Sequence, residues 1–283
     1  NSLSLASLTP SHGSVYCHYE AHIEVDECGA PEFYTGGAKL VLLGDADGKF
    51  TAAELEGKLA SAPIGFQHAV QPAAVSVTPA AELGTIYSVD ELKAIGDVAD
   101  KYNLGYHMDG ARFANALVSL GCTPAEMSWK AGVDVLSFGA TKNGAMAAEA
   151  VVFFKEELAE NFLYRRKRGG HLFSKMRFLS AQLEAYLADD LWLNNARYSN
   201  GLATRLATAL ENLPGGKLFA PVQANEIFIG LPASVIEAME AAGHLFYRWT
   251  NDGDNVVIRL VTGFSTDESM VDTFIEAATK FSK

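Results

Sequence analysis

The sequence is poor in cysteine and has no long apolar run. Its three cysteines, among 283 residues, are Cys17, Cys28 and Cys122. A small, odd number of cysteines is typical of free thiols in a reducing compartment and disfavours a disulfide framework. No apolar run approaches the roughly 18 residues that a membrane span requires. These absences predict a cytoplasmic protein that does not cross a membrane.

Basic residues are also scarce relative to acidic ones. Lysine and arginine total 22 against 34 aspartates and glutamates, which gives a formal net charge of -12. Nucleic acids and anionic membrane surfaces are negatively charged, so neither is expected as a partner. Hydrophobic residues make up 49% of the chain, which is enough to bury a large core. We therefore expect an enzyme that acts on a small molecule.

The first residues have an unusual character for a chain start. The sequence begins with Asn1 and not with methionine, and its first residues include no basic segment of the kind that opens a signal peptide. A periodic apolar pattern already runs through Leu3, Leu5 and Leu8, which predicts a helix from the outset. This pattern predicts a fragment of a longer protein.

Strand-like and helix-like segments alternate along the first half of the chain. Capping-box patterns, in which Ser or Thr precedes Glu by three residues, predict helix starts at Thr51, Ser88, Thr123 and Ser265. The short apolar runs of strand type are "GSVYC", "KLVLLG", "AAVSVT", "GYHM", "DVLSFG" and "AVVFF". The alternation predicts an α/β fold with a mostly parallel sheet covered on both faces.

The second half begins with a long stretch of helical periodicity, residues 169–213, which predicts two helices. Strand-like and helical segments then alternate again up to the C-terminus. We expect a large α/β domain over residues 1–165. Connecting helices and a smaller C-terminal α/β domain are expected over residues 166–283.

Charged residues follow two neighbouring predicted strands. Asp109 and Arg112 follow "LGYHM", and Lys142 in "ATKNG" follows the next strand along the chain. In open parallel sheets, ligands bind at the carboxyl ends of the strands. Taken singly, such an aspartate is more often a turn or cap residue, and such a lysine is usually solvated. Together they have the layout for a pyridinium cofactor on a Schiff-base lysine.

Five stretches together resemble a known family. They are "HMDGARFANAL", "LSFGATKNGAMAAEAVVFF", "CHYEAHIEVDECGAPEF", "RRKRGGHLFSKMRFLSAQ" and "VVIRLVT". They are similar to fold-type-I pyridoxal-phosphate enzymes of the β-eliminating lyase family, in its low-specificity threonine and phenylserine aldolase branch. The resemblance implies the cofactor pyridoxal 5′-phosphate. It also implies retro-aldol cleavage of β-hydroxy-α-amino acids to glycine and an aldehyde.

The resemblance implies a role for each of several residues. Lys142 would be the Schiff-base lysine, whose amine must be neutral to attack. Asp109 would pair with the protonated pyridine nitrogen, and His22 would stack on the ring. Arg259 matches the arginine that binds the substrate carboxylate through its planar fork. Arg112 resembles the arginine of the "DGAR" turn, which helps to hold cofactor or substrate.

Two more cations, Arg168 and Lys175, align with family residues near the cofactor phosphate, some of which reach across a subunit boundary. A solvated basic patch is an equal alternative for "RRKR". The resemblance also implies a homodimer or homotetramer with shared active sites. No metal site is predicted. His18 and His22 are four residues apart, but they lack a second ligand cluster and a known ligand spacing.

Two features depart from the family pattern. The resemblance implies an N-terminal part with a glycine-threonine turn, whose backbone amides cradle the phosphate, and this part is missing here. Many threonine aldolases also have a histidine after the strand equivalent to "AAVSVTP", where this chain has Glu82. Glu82 is therefore a candidate base for the β-hydroxyl proton, with His22 or a water near the phosphate as alternatives.

Other functions stay open at the level of sequence. The same fold supports transamination, decarboxylation and β-elimination, and a β-eliminating lyase is the nearest alternative. A catalytically inactive homologue that acts as a binding protein is another. An enzyme that uses a Schiff-base lysine without a cofactor is a third, but it leaves Asp109 without a cationic partner.

Overall fold

The first half of the chain builds a six-stranded sheet. A computed structural model describes residues 1–44 and 47–283. The strands of the larger sheet are β1 (Gly13–His18), β2 (Lys39–Leu43), β3 (Gln71–Val77), β4 (Gly105–Gly110), β5 (Val135–Gly139) and β6 (Glu149–Phe153). Their spatial order is β2-β1-β3-β4-β5-β6. All neighbours are parallel except β5 and β6, which confirms the mostly parallel sheet.

The second half builds a smaller, antiparallel sheet. Its strands are β7 (Lys217–Leu218), β8 (Glu226–Pro232), β9 (Tyr247–Asp252) and β10 (Asn255–Val261). They lie in the order β7-β8-β10-β9, and β8 pairs with β10 over its full length. The α/β fold with a smaller C-terminal sheet is confirmed. The domain division between residues 165 and 166 stays a prediction.

Helices connect the strands in both halves of the chain. The helices of the first half are α1 (Ser2–Leu8), α2 (His22–Val25), α3 (Ala30–Thr35), α4 (Ala52–Ala60), α5 (Val89–Lys101), α6 (Phe113–Leu120) and α7 (Pro124–Met127). The helices of the second half are α8 (Phe162–Arg168), α9 (Arg177–Leu187), α10 (Leu191–Glu211), α11 (Ala233–Ala241) and α12 (Glu268–Phe281). Within the described residues, no helix is both long and apolar enough to cross a membrane.

The helix starts follow the capping boxes with one exception. Thr51, Ser88 and Thr123 each accept a hydrogen bond from the backbone of the glutamate three residues on, as predicted. The predicted cap at Ser265 is wrong. Helix α12 is capped by Asp267, whose carboxylate accepts a hydrogen bond from the Ser269 amide at 2.9 Å. An ionised carboxylate also interacts favourably with the positive end of the helix dipole.

The interior of the larger sheet is apolar and closely packed. Tyr106 and Met108 of β4 are fully buried, and Leu92 and Ile95 of α5 belong to the same core cluster. Burying side chains of this size stabilises a fold by about 1.5–3 kcal/mol each. A rigid β4 fixes the position of the residue that ends its apolar run, Asp109.

Candidate functional site

An open cleft of about 770 Å³ lies where β4 and β5 end. Asp109 and Lys142 both line it, as the predicted order of parallel strands requires. Lys142 belongs to a short 3₁₀ turn, Thr141–Asn143. Its amine has no hydrogen bond or ion pair with any residue that the structure describes. The lysine is therefore available to react with a molecule in the cleft.

The turn that carries Lys142 is anchored by its neighbour Asn143. The buried Asn143 amide donates to the Tyr186 hydroxyl at 2.7 Å and to the Trp192 carbonyl at 2.8 Å. Asn195 donates in return to the Asn143 carbonyl at 2.8 Å. These contacts tie the turn to α9 and α10, so the lysine starts from a fixed backbone.

A glycine lets this turn lie against the Asp109 loop. Gly139 is the last residue of β5, and a Cβ there would lie 2.8 Å from the Cα of Ala111. Real Cβ atoms essentially never approach so closely, so a side chain at residue 139 would push the two loops apart. Backbone contact of this kind is what brings Asp109 and Lys142 to one cleft.

Asp109 is a buried carboxylate with fixed orientation. The residue is only 4% exposed. Oδ1 accepts a hydrogen bond from the Ala111 amide at 3.0 Å, and Oδ2 accepts one from Asn1 Nδ2 at 2.7 Å. Hydrogen-bonded partners of this kind make the burial of a carboxylate tolerable.

A neutral hydrogen-bonded chain runs beside Asp109. The buried His107 ring bridges the hydroxyls of Ser76 and Ser137, at 2.8 Å and 2.9 Å, and Ser137 also contacts the Ser4 hydroxyl at 2.9 Å. Burial lowers the pKa of His107 to about 3, so the ring is neutral at physiological pH. The chain joins α1 to three strands and adds no charge next to Asp109.

His22 opens α2 and contacts Glu27, which lines the cleft. The His22 Nδ1 atom lies 3.0 Å from Glu27 Oε1. That hydrogen bond raises the pKa of His22, although partial burial opposes it. Burial raises the pKa of Glu27, but hydrogen bonds from His22, Asn1 and Ser2 outweigh it and lower the pKa to about 2. His22 is thus held toward its protonated form by an ionised partner.

Glu82 lies in the segment after β3, and its carboxyl group has a raised pKa. Burial is the largest cause, and the negative charges of Glu226 and Asp109 add to it. The positive charges of Arg112 and His22 oppose the shift. Glu82 therefore belongs to the same electrostatic neighbourhood as the predicted cofactor residues.

Arg112 and Arg259 meet at one acidic side chain. The Nη2 atom of Arg112 lies 2.9 Å from Oε1 of Glu226, and Nη2 of Arg259 donates to the same oxygen. The Glu226 side chain is completely buried, while that of Arg259 is 32% exposed. The guanidinium carbon of Arg259 also lies 6.0 Å from the centre of the Phe228 ring. Both predicted substrate-binding arginines are thus brought together.

The predicted phosphate cations Arg168 and Lys175 are exposed and do not line the cleft. Arg166 and His171, from the same segment, do line it. The Nε atom of Arg166 is buried and has no hydrogen-bond partner among the described residues. The residues of this segment that line the cleft therefore differ from the two that were predicted, and the role of Arg168 and Lys175 stays a prediction.

Sequence reasoning missed three acidic or basic residues near the site: Glu27, Arg166 and Glu226. One sequence feature could have identified Glu226 as a candidate: it is the single charged residue at the start of the apolar run "EIFIGLP". Glu27 is five residues from His22 and could have been paired with it. Arg166 had no distinguishing signal within "RRKR".

Comparison with known proteins places the chain in a family. The model of the family described as "Beta-eliminating lyase" matches residues 1–233. A low specificity L-threonine aldolase of Pseudomonas aeruginosa is 47% identical over 268 residues, which cover 94% of this chain and 76% of the relative. A second low specificity L-threonine aldolase, from a Pseudomonas species, is 45% identical and is covered to 77%. The chain belongs to the β-eliminating lyase family.

The solved structure of the Leishmania major threonine aldolase has the same fold. It superposes with a TM-score of 0.93 and 28% sequence identity, and the match covers all of this chain and 81% of that one. The family resemblance seen in the sequence and the predicted fold-type-I architecture are thus confirmed.

Proposed function

We propose that the whole protein cleaves β-hydroxy-α-amino acids of threonine or phenylserine type to glycine and an aldehyde, with pyridoxal 5′-phosphate as its cofactor. The observation that carries the proposal is the cleft that both Asp109 and Lys142 line. Relatives at 47% and 45% identity that are named low specificity L-threonine aldolases support the reaction. A Schiff-base lysine, and a buried carboxylate to pair with the pyridine nitrogen, are the two groups that this chemistry needs.

The residues present fit this cofactor. Lys142 has an amine without a partner among the described residues, and it would hold the aldehyde carbon. The buried Asp109 would hold the pyridine nitrogen as its cationic partner. When bound, the cofactor supplies an electron sink for the bond that breaks at the substrate Cα. The buried, unpartnered Nε of Arg112 is a further donor to a bound molecule.

Glu82 is the proposed acceptor of the β-hydroxyl proton. A base must be deprotonated, and the best catalytic pKa lies close to the working pH. The raised pKa of buried Glu82 moves this group in that direction. His22 is a poorer candidate because its hydrogen bond to Glu27 favours the protonated ring, which has no free lone pair. Once Glu82 takes the proton, the oxygen can form the carbonyl of the leaving aldehyde.

Arg259 is the proposed site for the substrate carboxylate. Its planar guanidinium carries five donors, of which one is used by Glu226. A third of the side chain is exposed, so a ligand can reach it. Arg112, next to Asp109 in sequence and on the same Glu226 oxygen, would hold the cofactor or substrate from the other side.

The phosphate is proposed to lie near Arg166 and His171, which both line the cleft. The buried Nε of Arg166 lacks a partner within the described part of the chain and would donate to an anion. Arg168 and Lys175 keep their proposed role only through assembly, as cations that reach a neighbouring subunit's site.

Assembly into a homodimer or homotetramer is part of the proposal. Large apolar side chains are exposed along the segment of α8 and α9: Leu163, Tyr164, Phe173, Phe178 and Leu187. Exposed apolar groups in one region favour a protein-protein contact. The partners proposed are thus a second copy of the chain and a small amino acid. A cytoplasmic location stays a prediction.

Product analysis of the full-length protein tests the proposal. The protein is incubated with cofactor and with L-threonine, phenylserine or L-serine, and glycine, aldehyde, pyruvate and ammonia are measured. We expect glycine and an aldehyde from threonine or phenylserine. Pyruvate and ammonia from serine, without aldehyde from the other two, would replace the proposal by β-elimination. If the protein neither binds the cofactor nor turns over any of these amino acids, a catalytically inactive binding protein is favoured instead.

A further inference from the structure

A buried cluster of charges joins the two sheets. Its members, which we call the junction cluster, are Arg112, Glu226 and Arg259. Both arginines use Nη2 to contact one oxygen, Oε1 of Glu226. Side-chain exposure falls from 32% at Arg259 to 10% at Arg112 and to zero at Glu226. The acid is thus the innermost member.

The cluster is assembled from separate segments of the fold. Arg112 follows β4 of the larger sheet, whereas Glu226 begins β8 and Arg259 lies in β10. Arg259 pairs in register with Phe228, two residues after Glu226, so Arg259 and Glu226 project from the same face of the smaller sheet. Glu226 is therefore a bridge between the sheets.

The loop that carries Glu82 packs directly on this bridge. Gly84 has a φ of +77°, a conformation that side chains rarely adopt, and a Cβ there would lie 3.2 Å from the Glu226 carbonyl oxygen. The close approach explains why the negative charge of Glu226 acts on Glu82. A substitution of Glu226 should therefore affect residues on three segments: Arg112 after β4, Arg259 in β10 and Glu82 in the loop after β3.

One carboxylate between two guanidinium groups fixes both. A lone buried carboxylate is strongly unfavourable, and two neighbouring cations without a counter-charge repel each other. An unrestrained arginine also loses side-chain conformational entropy when a ligand immobilises it. With Nη2 on Glu226, the guanidinium of Arg259 keeps Nη1 and Nε for a further partner.

We propose that Glu226 is a positioning residue that holds Arg259 ready for the substrate carboxylate and holds Arg112 beside Asp109. The proposal rests on the proposed function, in which Arg259 binds that carboxylate. Glu226 does not touch the substrate in this account. It acts through the two arginines, and its effect is on the recognition of the carboxylate.

The test is a binding measurement on the full-length protein with cofactor bound. Glycine and methylamine, which is glycine without its carboxylate, are titrated against the absorbance of the cofactor in the Glu226→Gln variant. We expect glycine to bind about tenfold more weakly, ~1.4 kcal/mol, and methylamine to bind as it does to the unchanged protein. Glu240→Gln is the matched control, because Glu240 pairs with an arginine on the surface.

A second pair of variants separates this inference from the proposed function. Arg259→Ala should weaken glycine binding, and Glu226→Gln should have little further effect in that background if Glu226 acts through Arg259. If Arg259→Ala leaves glycine binding unchanged, the proposed role of Arg259 fails. If Arg259→Ala weakens binding but Glu226→Gln does not, the positioning role of Glu226 is overturned.

If the Glu226→Gln variant does not fold, a variant with a shorter acid, Glu226→Asp, takes its place in the binding measurement. Glu226→Asp keeps the charge but withdraws it by one methylene, so it should no longer reach both arginines. We expect glycine binding to fall about threefold, ~0.7 kcal/mol, with methylamine binding unchanged and the thermal midpoint of the apoprotein close to that of the unchanged protein. Glycine affinity equal to that of the unchanged protein, or an equal loss for glycine and methylamine, would overturn the proposal.

Discussion

The cleft around Lys142 and the junction cluster handle their charges in opposite ways. In the cleft, the Lys142 amine and the Nε of Arg166 have no partner within the described part of the chain. In the junction cluster, two arginines are paired with one buried glutamate. The cleft leaves these nitrogen atoms for a ligand, whereas in the cluster the carboxylate of Glu226 balances one of the two guanidinium charges. The cleft is therefore suited to bind a ligand, whereas the junction cluster is held in place by its own ion pairs.

The difference separates two kinds of effect. Substitutions of Lys142 or Asp109 in the cleft should remove the cofactor or its chemistry, because the two residues are proposed to contact the cofactor itself. Substitutions in the junction cluster should change substrate affinity, because the cluster presents one arginine to the carboxylate. Variants of the two regions therefore distinguish attachment and chemistry from recognition.

Lys142→Ala should have the largest effect. Removing the amine removes the covalent attachment point, so the full-length protein should lose turnover almost completely and show no visible absorbance band with added cofactor. Lys130→Ala is the control, since Lys130 is an exposed lysine outside the cleft. A Lys142→Ala protein with the band and turnover intact would move the attachment point to another lysine.

Asp109→Ala should keep the absorbance band but lower kcat by about 1,000-fold, ~4 kcal/mol. Without a carboxylate beside it, the ring nitrogen loses its proton and withdraws electrons poorly. Asp97→Ala, at an exposed aspartate outside the cleft, is the control. A loss of less than about tenfold would mean that Asp109 serves only to order the turn through its bond to Ala111.

Glu82→Gln should lower kcat by about 100-fold and leave glycine binding unchanged. Because burial and neighbouring acids raise the pKa of Glu82, the rate should fall with decreasing pH through an apparent pKa above that of an ordinary glutamate. Glu226→Gln removes one of the negative charges that raise it, so the same acid limb should move to lower pH. Full activity of Glu82→Gln would place the base elsewhere.

Arg259→Ala should weaken substrate binding by about 2–5 kcal/mol, seen as a raised KM with a smaller change in kcat. Lysine offers a single point charge in place of a planar fork, so Arg259→Lys should not restore the affinity. Arg248→Ala is a suitable control, because Arg248 pairs with Glu240 on the exposed surface. An unchanged KM in Arg259→Ala would make Arg259 a structural partner of Glu226 alone.

The sequence predicted the fold well where local patterns have one solution. The six apolar runs all became strands of the larger sheet, and the order of its parallel strands placed Asp109 and Lys142 at one edge. The Ser265 cap failed because Asp267, two residues later, offers a charged acceptor to the same helix end. Competing caps so close together cannot be ranked by spacing alone.

The site was predicted in part, for a physical reason. Arg166 and Arg168 are two residues apart, which is about 200° around an α-helix, so only one can face the cleft. Helix phase, which "RRKR" does not encode, decides between them. Glu226 was missed because its partners come from the turn after β4 and from β10, which are far apart in the sequence and meet only in the folded chain.

Chemical trapping tests the central claim most directly. The full-length protein is loaded with pyridoxal 5′-phosphate, reduced with borohydride and digested, and the modified peptide is identified by mass spectrometry. The account predicts bleaching of the visible band and a single reduced cofactor adduct on Lys142. An adduct on any other lysine, or a protein that takes up no cofactor, would contradict it.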